Sequence, residues 1–232
     1  MHIQDSVALV TGANRGLGLA FTQALLAAGA RKVYAAVRDP ATAQLPGVEA
    51  IRLDVTSAKD IAAAAAACTD LTLLINNAGI LDGQGRQLLE PGSEDAAQRE
   101  FQTNVLGPLR LTRAFAPVLA RNGGGAVLNV LSVLSWLNAP SAATYSVSKA
   151  AAWSLTNGLR HELQGQGTQV TGLHVAYIDT DMARTVPGHK TAPEEVARLA
   201  LLGLEAGEAE VLADTLSRQV RAGLSAEPGV YL

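Results

Sequence analysis

Seven short apolar runs punctuate the chain, separated by polar or amphipathic stretches. SVALVTG (6–12), RKVYAAVR (31–38), VEAIRLDV (48–55), LTLLINNAG (71–79), GAVLNVLS (125–132), TQVTGLHVA (168–176) and AEVLAD (209–214) read as strands. The fourth opens with LTLLI, apolar without alternation, as in a strand covered on both faces. Helical spacing fills the gaps. Residues 17–28 are amphipathic, Ser57 is a fitting N-cap for an alanine-rich helix, and Ser93 is expected to cap one long helix running to residue 122. Further helices carry Tyr145 and begin near Pro193. Strands alternating with helices predict parallel βαβ units and right-handed crossovers. The expected fold class is α/β, a doubly wound parallel sheet of about seven strands with helices on both faces. No linker, repeat or charge block divides residues 1–232, so a single domain is expected.

Composition narrows the classes of partner. With 48% hydrophobic and 17% charged residues, the 232-residue chain suits one α/β domain with a large core. No apolar run approaches the length of a membrane span, and MHIQDSVALV lacks the regions of a secretion signal. A formal charge of −3 gives no basic footprint for nucleic acid or an anionic membrane. The single cysteine, Cys68, fits a reducing cytoplasm and reads as a small half-buried hydrophobe. His2, His161, His174 and His189 show no metal-ligand spacing and read as surface or structural residues, so no metal is expected.

The first strand runs into TGANRGLG, residues 11–18. Gly12, Gly16 and Gly18 permit a tight turn and close approach of backbone to a pyrophosphate at a helix N-terminus, with Asn14, Arg15 and Leu17 between them. The spacing is neither G-x-G-x-x-G nor a P-loop, and alone it also fits an ordinary strand-to-helix turn. Its place in the first βα unit favours phosphate binding. The second strand ends in Arg38 and then Asp39. Two arginines, Arg15 and Arg38, favour the 2′-phosphate of NADP(H) over NAD(H), and Asp39 is the dissenting acid.

ATYSVSKAAAWS, residues 143–154, places Tyr145 and Lys149 four positions apart and so on one helical face. They form either an exposed pair or a tuned acid–base, because an ammonium beside a phenol favours the phenolate. Asn104 interrupts a helical stretch with a poor helix former.

TGANRGLG, LDV at 53–55, NNAG at 76–79, Asn104 in TNVLG, Ser132 and YSVSK at 145–149 occur in that order. Over nearly its whole length the chain resembles the short-chain dehydrogenase/reductase family, a Rossmann-fold family. The VRD after the second strand is similar to its NADP-dependent carbonyl reductases. The resemblance implies a catalytic tetrad of Asn104, Ser132, Tyr145 and Lys149. It implies cofactor contacts from the loop residues Gly12 to Gly18, from Arg38, and from Asp54 and Val55 at the adenine. It also implies that Asn77, Ala78 and Gly79 line the cleft, that Tyr145 and Lys149 lie at the nicotinamide ribose, and that Ile178 and Thr180 meet the carboxamide. In the implied reaction NADPH delivers hydride to a carbonyl carbon, Tyr145 protonates the oxygen, Ser132 orients it, and Asn104 holds a relay water.

One departure stands out. Val175 and Ala176 occupy the positions where the family carries Pro-Gly, which puts nicotinamide placement in question. That replacement gives some support to an alternative, a catalytically weak NADP-binding regulatory or signalling protein, against which the intact tetrad argues strongly. A sugar-nucleotide epimerase is a third option for which the chain has little room. Leu134, Trp136 and Leu137 are candidates for an apolar pocket wall, Trp136 fitting a core position equally well. Residues 183–191, with Pro187 and Gly188, are read as a lid. A small apolar carbonyl or alcohol is the expected substrate. By the resemblance, helices at 93–122 and 145–164 pair in a homo-oligomer, dimer or tetramer, although related monomers exist.

Overall fold

The computed structural model of the chain describes residues 1–43 and 45–232. Seven parallel strands form one sheet in the order β3-β2-β1-β4-β5-β6-β7. They are β1 (Val7–Thr11), β2 (Lys32–Val37), β3 (Val48–Arg52), β4 (Leu73–Asn76), β5 (Ala126–Val130), β6 (Gln169–His174) and β7 (Glu210–Leu212). The helices are α1 (Gly16–Ala27), α2 (Ala58–Ala67), α3 (Ser93–Phe101), α4 (Gly107–Arg121), α5 (Ala143–Leu163), α6 (Pro193–Glu205) and α7 (Thr215–Gly223). The expected doubly wound sheet of seven strands is present.

Side chains of β1 alternate between two cores, as the period of two requires. Ala8 and Val10 pack with Phe21 and Leu25 of α1 and Val196 and Leu204 of α6. Val7 and Leu9 pack on the other face with Ile61 of α2, Phe115 of α4 and Leu159 of α5. Burial on both faces explains why β1 and β4 read as unbroken apolar runs. Strand order reverses between β2 and β4, both neighbours of β1, and a crevice opens there beyond the carboxyl ends.

The stretch expected as one helix from Ser93 to residue 122 departs from that reading twice. Ser93 is the first helical residue, not the cap. Gly92 takes the cap position at φ 82°, and the Ser93 hydroxyl donates to the Leu88 carbonyl at 2.7 Å. A π-helical turn, Gln102–Leu106, then separates α3 from α4. Its closing bond runs from the Gly107 N–H to the Gln102 carbonyl, five residues back. Pro108 explains the break: it has no N–H to give the carbonyl of Asn104, four residues earlier, so a regular helix fails there. Helix α7 was not foreseen from the sequence.

Candidate active site

The chain leaves β1 through Gly12 (φ 66°) and Gly16 (φ 51°), left-handed conformations that favour glycine. At Gly18 a Cβ would collide with the carbonyl oxygen of Gly12 and lie 2.7 Å from Nδ2 of Asn77. These glycines let the loop lie flat against the start of α1. Asn77, just past β4, pins it: its Nδ2 donates to the Thr11 carbonyl at 2.8 Å. The Thr11 hydroxyl oxygen accepts from the N–H groups of Asn77 and Ala78, both at 2.9 Å. Helix α1 starts with neither a side-chain cap nor an acid in its first turn, so its leading N–H groups suit an anion.

Arg38 is exposed at the end of β2, while the Asp39 carboxylate turns back to accept from the Ala41 N–H at 3.1 Å. Arg15, expected beside the same phosphate, instead pairs with Asp181 at 3.0 Å, both side chains being exposed. Asn14 donates to the Thr42 hydroxyl at 3.2 Å. Asp54 accepts from the hydroxyl and N–H of Thr56 at 2.7 and 2.8 Å, and these bonds hold its carboxyl below the usual range.

Helix α5 carries Tyr145 and Lys149 on one face, as its spacing predicts, with the ammonium 5.5 Å from the tyrosine ring centroid. Lys149 is buried and donates to the Val130 carbonyl at 2.7 Å. Burial pulls its amine down to about 8. Tyr145 runs against expectation: its phenol is pushed above the ordinary range, by burial first and by the charge of Glu100 second. The lysine does not overcome these effects, since its cation is itself disfavoured by burial.

Glu100, on α3, was missed in the sequence because a glutamate in an amphipathic helix reads as solvent-facing. It is wholly buried. Its Oε1 accepts from the N–H groups of Asp82 and Gly83 at 2.8 and 3.1 Å, and its Oε2 has no partner.

Asn104 sits in the π-helical turn and joins two elements. Its Oδ1 accepts from the Ile80 N–H, and its Nδ2 donates to the Ile80 carbonyl, each at 2.9 Å, and to the Ser148 hydroxyl at 3.0 Å. With Lys149 it lines a small polar pocket of about 10 Å³, room for a single water. Ser132 follows β5 and caps a short 3-10 turn, its hydroxyl oxygen accepting from the Leu134 N–H at 3.1 Å. The O–H of Ser132 stays free to donate.

Ser132, Tyr145, Lys149 and every expected cofactor-binding residue line one groove of about 2060 Å³ at the strand ends; Asn104 lies behind it. Leu134 also lines this groove. Trp136 does not: it is buried and stacked on His174, the core alternative raised for it. Leu137 packs in the same cluster as Trp136.

The Val175–Ala176 pair is accommodated without strain. Val175 is buried in the core, Ala176 keeps a negative φ, and the Ala176 N–H donates to Asp214 at 2.7 Å. Among the described residues, no cluster of three or more His, Cys, Asp or Glu could hold a metal ion, and no helix is long and apolar enough to cross a membrane.

Known proteins are similar to this chain. Residues 6–191 match the family described as short chain dehydrogenase. The chain is 31% identical over 199 residues to a galactitol 2-dehydrogenase of Agrobacterium fabrum, covering 82% of this chain and 77% of that one. It is 35% identical over 193 residues to the L-tagatose-forming galactitol 2-dehydrogenase of Cereibacter sphaeroides, covering 78% and 74%. A short chain dehydrogenase from Burkholderia cenocepacia, solved in complex with NADP, superposes with a TM-score of 0.93 at 42% identity, covering 98% of this chain and 96% of that one. With the glycine loop, Ser132, Tyr145 and Lys149 on one groove of a doubly wound sheet, the chain belongs to the short chain dehydrogenase family.

Proposed function

We propose that the protein is an NADP-dependent oxidoreductase that interconverts a carbonyl and an alcohol, with Tyr145 as the general acid/base. The carrying observation is that Ser132, Tyr145 and Lys149 share one groove with an anion-ready glycine loop. The residues fit the cofactor: the uncapped start of α1 suits its pyrophosphate, and exposed Arg38 suits its 2′-phosphate. Asp39, the acid that would favour NAD, is engaged with its own turn, and the 42% identical Burkholderia cenocepacia protein was solved with NADP. When bound, the nicotinamide supplies the hydride.

The chain's own groups handle the proton. A phenol held above its ordinary range stays protonated at neutral pH and is ready to donate to a developing alkoxide. Ser132 gives its O–H to the same oxygen. Lys149, tied to Val130, and Asn104, beside a pocket sized for one water, supply a route by which Tyr145 regains its proton.

The substrate we infer is small and largely apolar, since Leu134, Met182 and Val186 are among the residues that line the groove with Ser132 and Tyr145. Residues 1–232 are read as one domain because a single sheet takes strands from Val7 to Leu212. Exposed Phe101 and Val147 favour pairing of copies through α3 and α5, which light scattering tests. The lone buried Cys68, its thiol pushed up to about 12 by burial, fits a cytoplasmic setting.

Oxidation of NADPH and NADH over a panel of aldehydes, ketones and quinones tests the activity, with Tyr145→Phe run alongside. NADPH-preferring turnover that collapses in the variant is expected. Turnover unchanged in the variant overturns the role of Tyr145.

A further inference from the structure

His174 ends β6 and is wholly buried. Its ring lies flat on Trp136, the centroids 3.9 Å apart and the planes 13° from parallel. Nδ1 lies 3.1 Å from the main-chain carbonyl oxygen of Ser132. A carbonyl only accepts, so Nδ1 carries the hydrogen. On the opposite edge, Nε2 faces Oε1 of Glu210 at 3.6 Å, an ion pair only when the imidazole is protonated.

Glu210 is clamped in turn. Trp153 on α5 donates Nε1–H to its Oε1 at 2.7 Å, and Arg221 on α7 donates Nε–H to its Oε2 at 3.0 Å. His174, and then Trp153 and Arg221, hold the Glu210 carboxyl down at about 2 in spite of its partial burial. α5, α7 and β7 thus meet at the Glu210 carboxylate, which faces the His174 imidazole, and that imidazole touches the serine of the active site.

We propose that His174 is a positioning residue for Ser132, gripping its carbonyl from the core so that its hydroxyl stays aimed into the groove. The inference rests on the reading of Ser132 as the group that orients the substrate oxygen. Ser132 is held at both ends: the Ser135 hydroxyl accepts from its N–H at 3.4 Å, and its carbonyl accepts from the Ser135 N–H at 3.0 Å and from His174 at 3.1 Å. Trp136 carries the same constraint into the short turn that presents Leu134 to the groove. Without the imidazole the carbonyl keeps only its bond from the Ser135 N–H, the peptide that follows Ser132 loosens, and small misplacements of a reacting group are costly in rate.

The test compares His174→Asn and His174→Leu with the wild-type chain, after thermal melting shows that each folds. Asparagine sets an amide N–H near the place of Nδ1; leucine cannot donate. With the best acceptor of the carbonyl panel, His174→Leu is expected to lower kcat by about tenfold or more, leaving KM and the Kd for NADPH within about twofold. His174→Asn is expected to recover most of kcat. Wild-type turnover in the leucine variant, or an asparagine variant no better than leucine, overturns the proposal. Nitrogen-15 spectra of the histidine-labelled wild-type chain carry the test if the leucine variant does not fold. A hydrogen resident on Nδ1 of His174 and protected from exchange supports the grip, and its absence overturns it. Ser132→Ala separates the two layers of inference. If it leaves turnover intact, the active-site reading fails. If it abolishes turnover while His174→Leu changes nothing, only the role of His174 fails.

Discussion

The phenol of Tyr145, already raised by burial, is raised further by the carboxylate of Glu100 on the neighbouring helix α3. A nearby negative charge disfavours the phenolate. In the reductive direction the phenol must carry its proton, so activity falls as pH rises through its pKa. Glu100→Gln removes the charge, and its amide oxygen can still accept from Asp82 and Gly83. We expect the alkaline limb of log kcat/KM against pH to move down by roughly one unit. A limb that does not move leaves Glu100 as an anchor for the 82–83 loop only.

Tyr145→Phe deletes one oxygen from a half-buried ring and leaves the groove intact. Turnover is expected to fall by about 10²–10⁴-fold, the usual weight of a general acid. NADPH affinity, followed by quenching of protein fluorescence, stays within about threefold, roughly the effect of half a kcal/mol. Lost binding would mean that the hydroxyl holds the cofactor and not the proton.

Burial of Lys149 has a price in stability that depends on pH. The folded chain holds this amine at about 8 against 10.5 for the free side chain. Between those values the unfolded chain binds more protons, so stability rises as pH climbs from about 8 to 10.5. At neutral pH the full penalty, on the order of 3 kcal/mol, is present. The bond to Val130 offsets about 1 kcal/mol of it. Lys149→Met is therefore expected to raise stability at pH 7 by about 2 kcal/mol while abolishing turnover. Denaturant midpoints at pH 7 and 10.5 check this, the gain shrinking at the higher pH. A variant less stable than wild type at pH 7 rejects it.

Arg38→Ala tests cofactor choice. Loss of a guanidinium partner is expected to weaken NADPH binding by about tenfold or more and to leave NADH nearly unchanged. Asp181→Asn, which releases Arg15 from its exposed pair, should tighten NADPH by at most a few-fold, since such pairs are worth about 1 kcal/mol or less. Equal losses for both nucleotides in Arg38→Ala would move the 2′-phosphate site elsewhere.

The sheet was legible because strands buried on both faces must be apolar, as LLIN of β4 is at every position but its last. The glycine loop was legible because only glycine sits easily at the φ values of residues 12 and 16. Other features left no local mark. Helix α7 buries only Ser217 and Val220, too weak a pattern to stand out from a polar tail. Glu100 and His174 take their meaning from partners 18 and 42 positions away. The pairing of Arg15 with Asp181, 166 residues on, was equally hidden, and it displaced the expected use of that arginine. Pro108 does announce the break at Asn104, through the N–H it lacks, but the helical periodicity runs on past it and masks the signal.

The π-helical turn makes the chain's length around Asn104 as consequential as its composition. Each residue of a helix advances the rotation by about 100°. Removing Val105 alone would turn α3 by about that angle relative to α4. Glu100 would swing away from the 82–83 loop, and Asn104 would lose its hold on Ile80 and Ser148 together. A single-codon deletion there would therefore be expected to damage the enzyme more than most substitutions in the same segment.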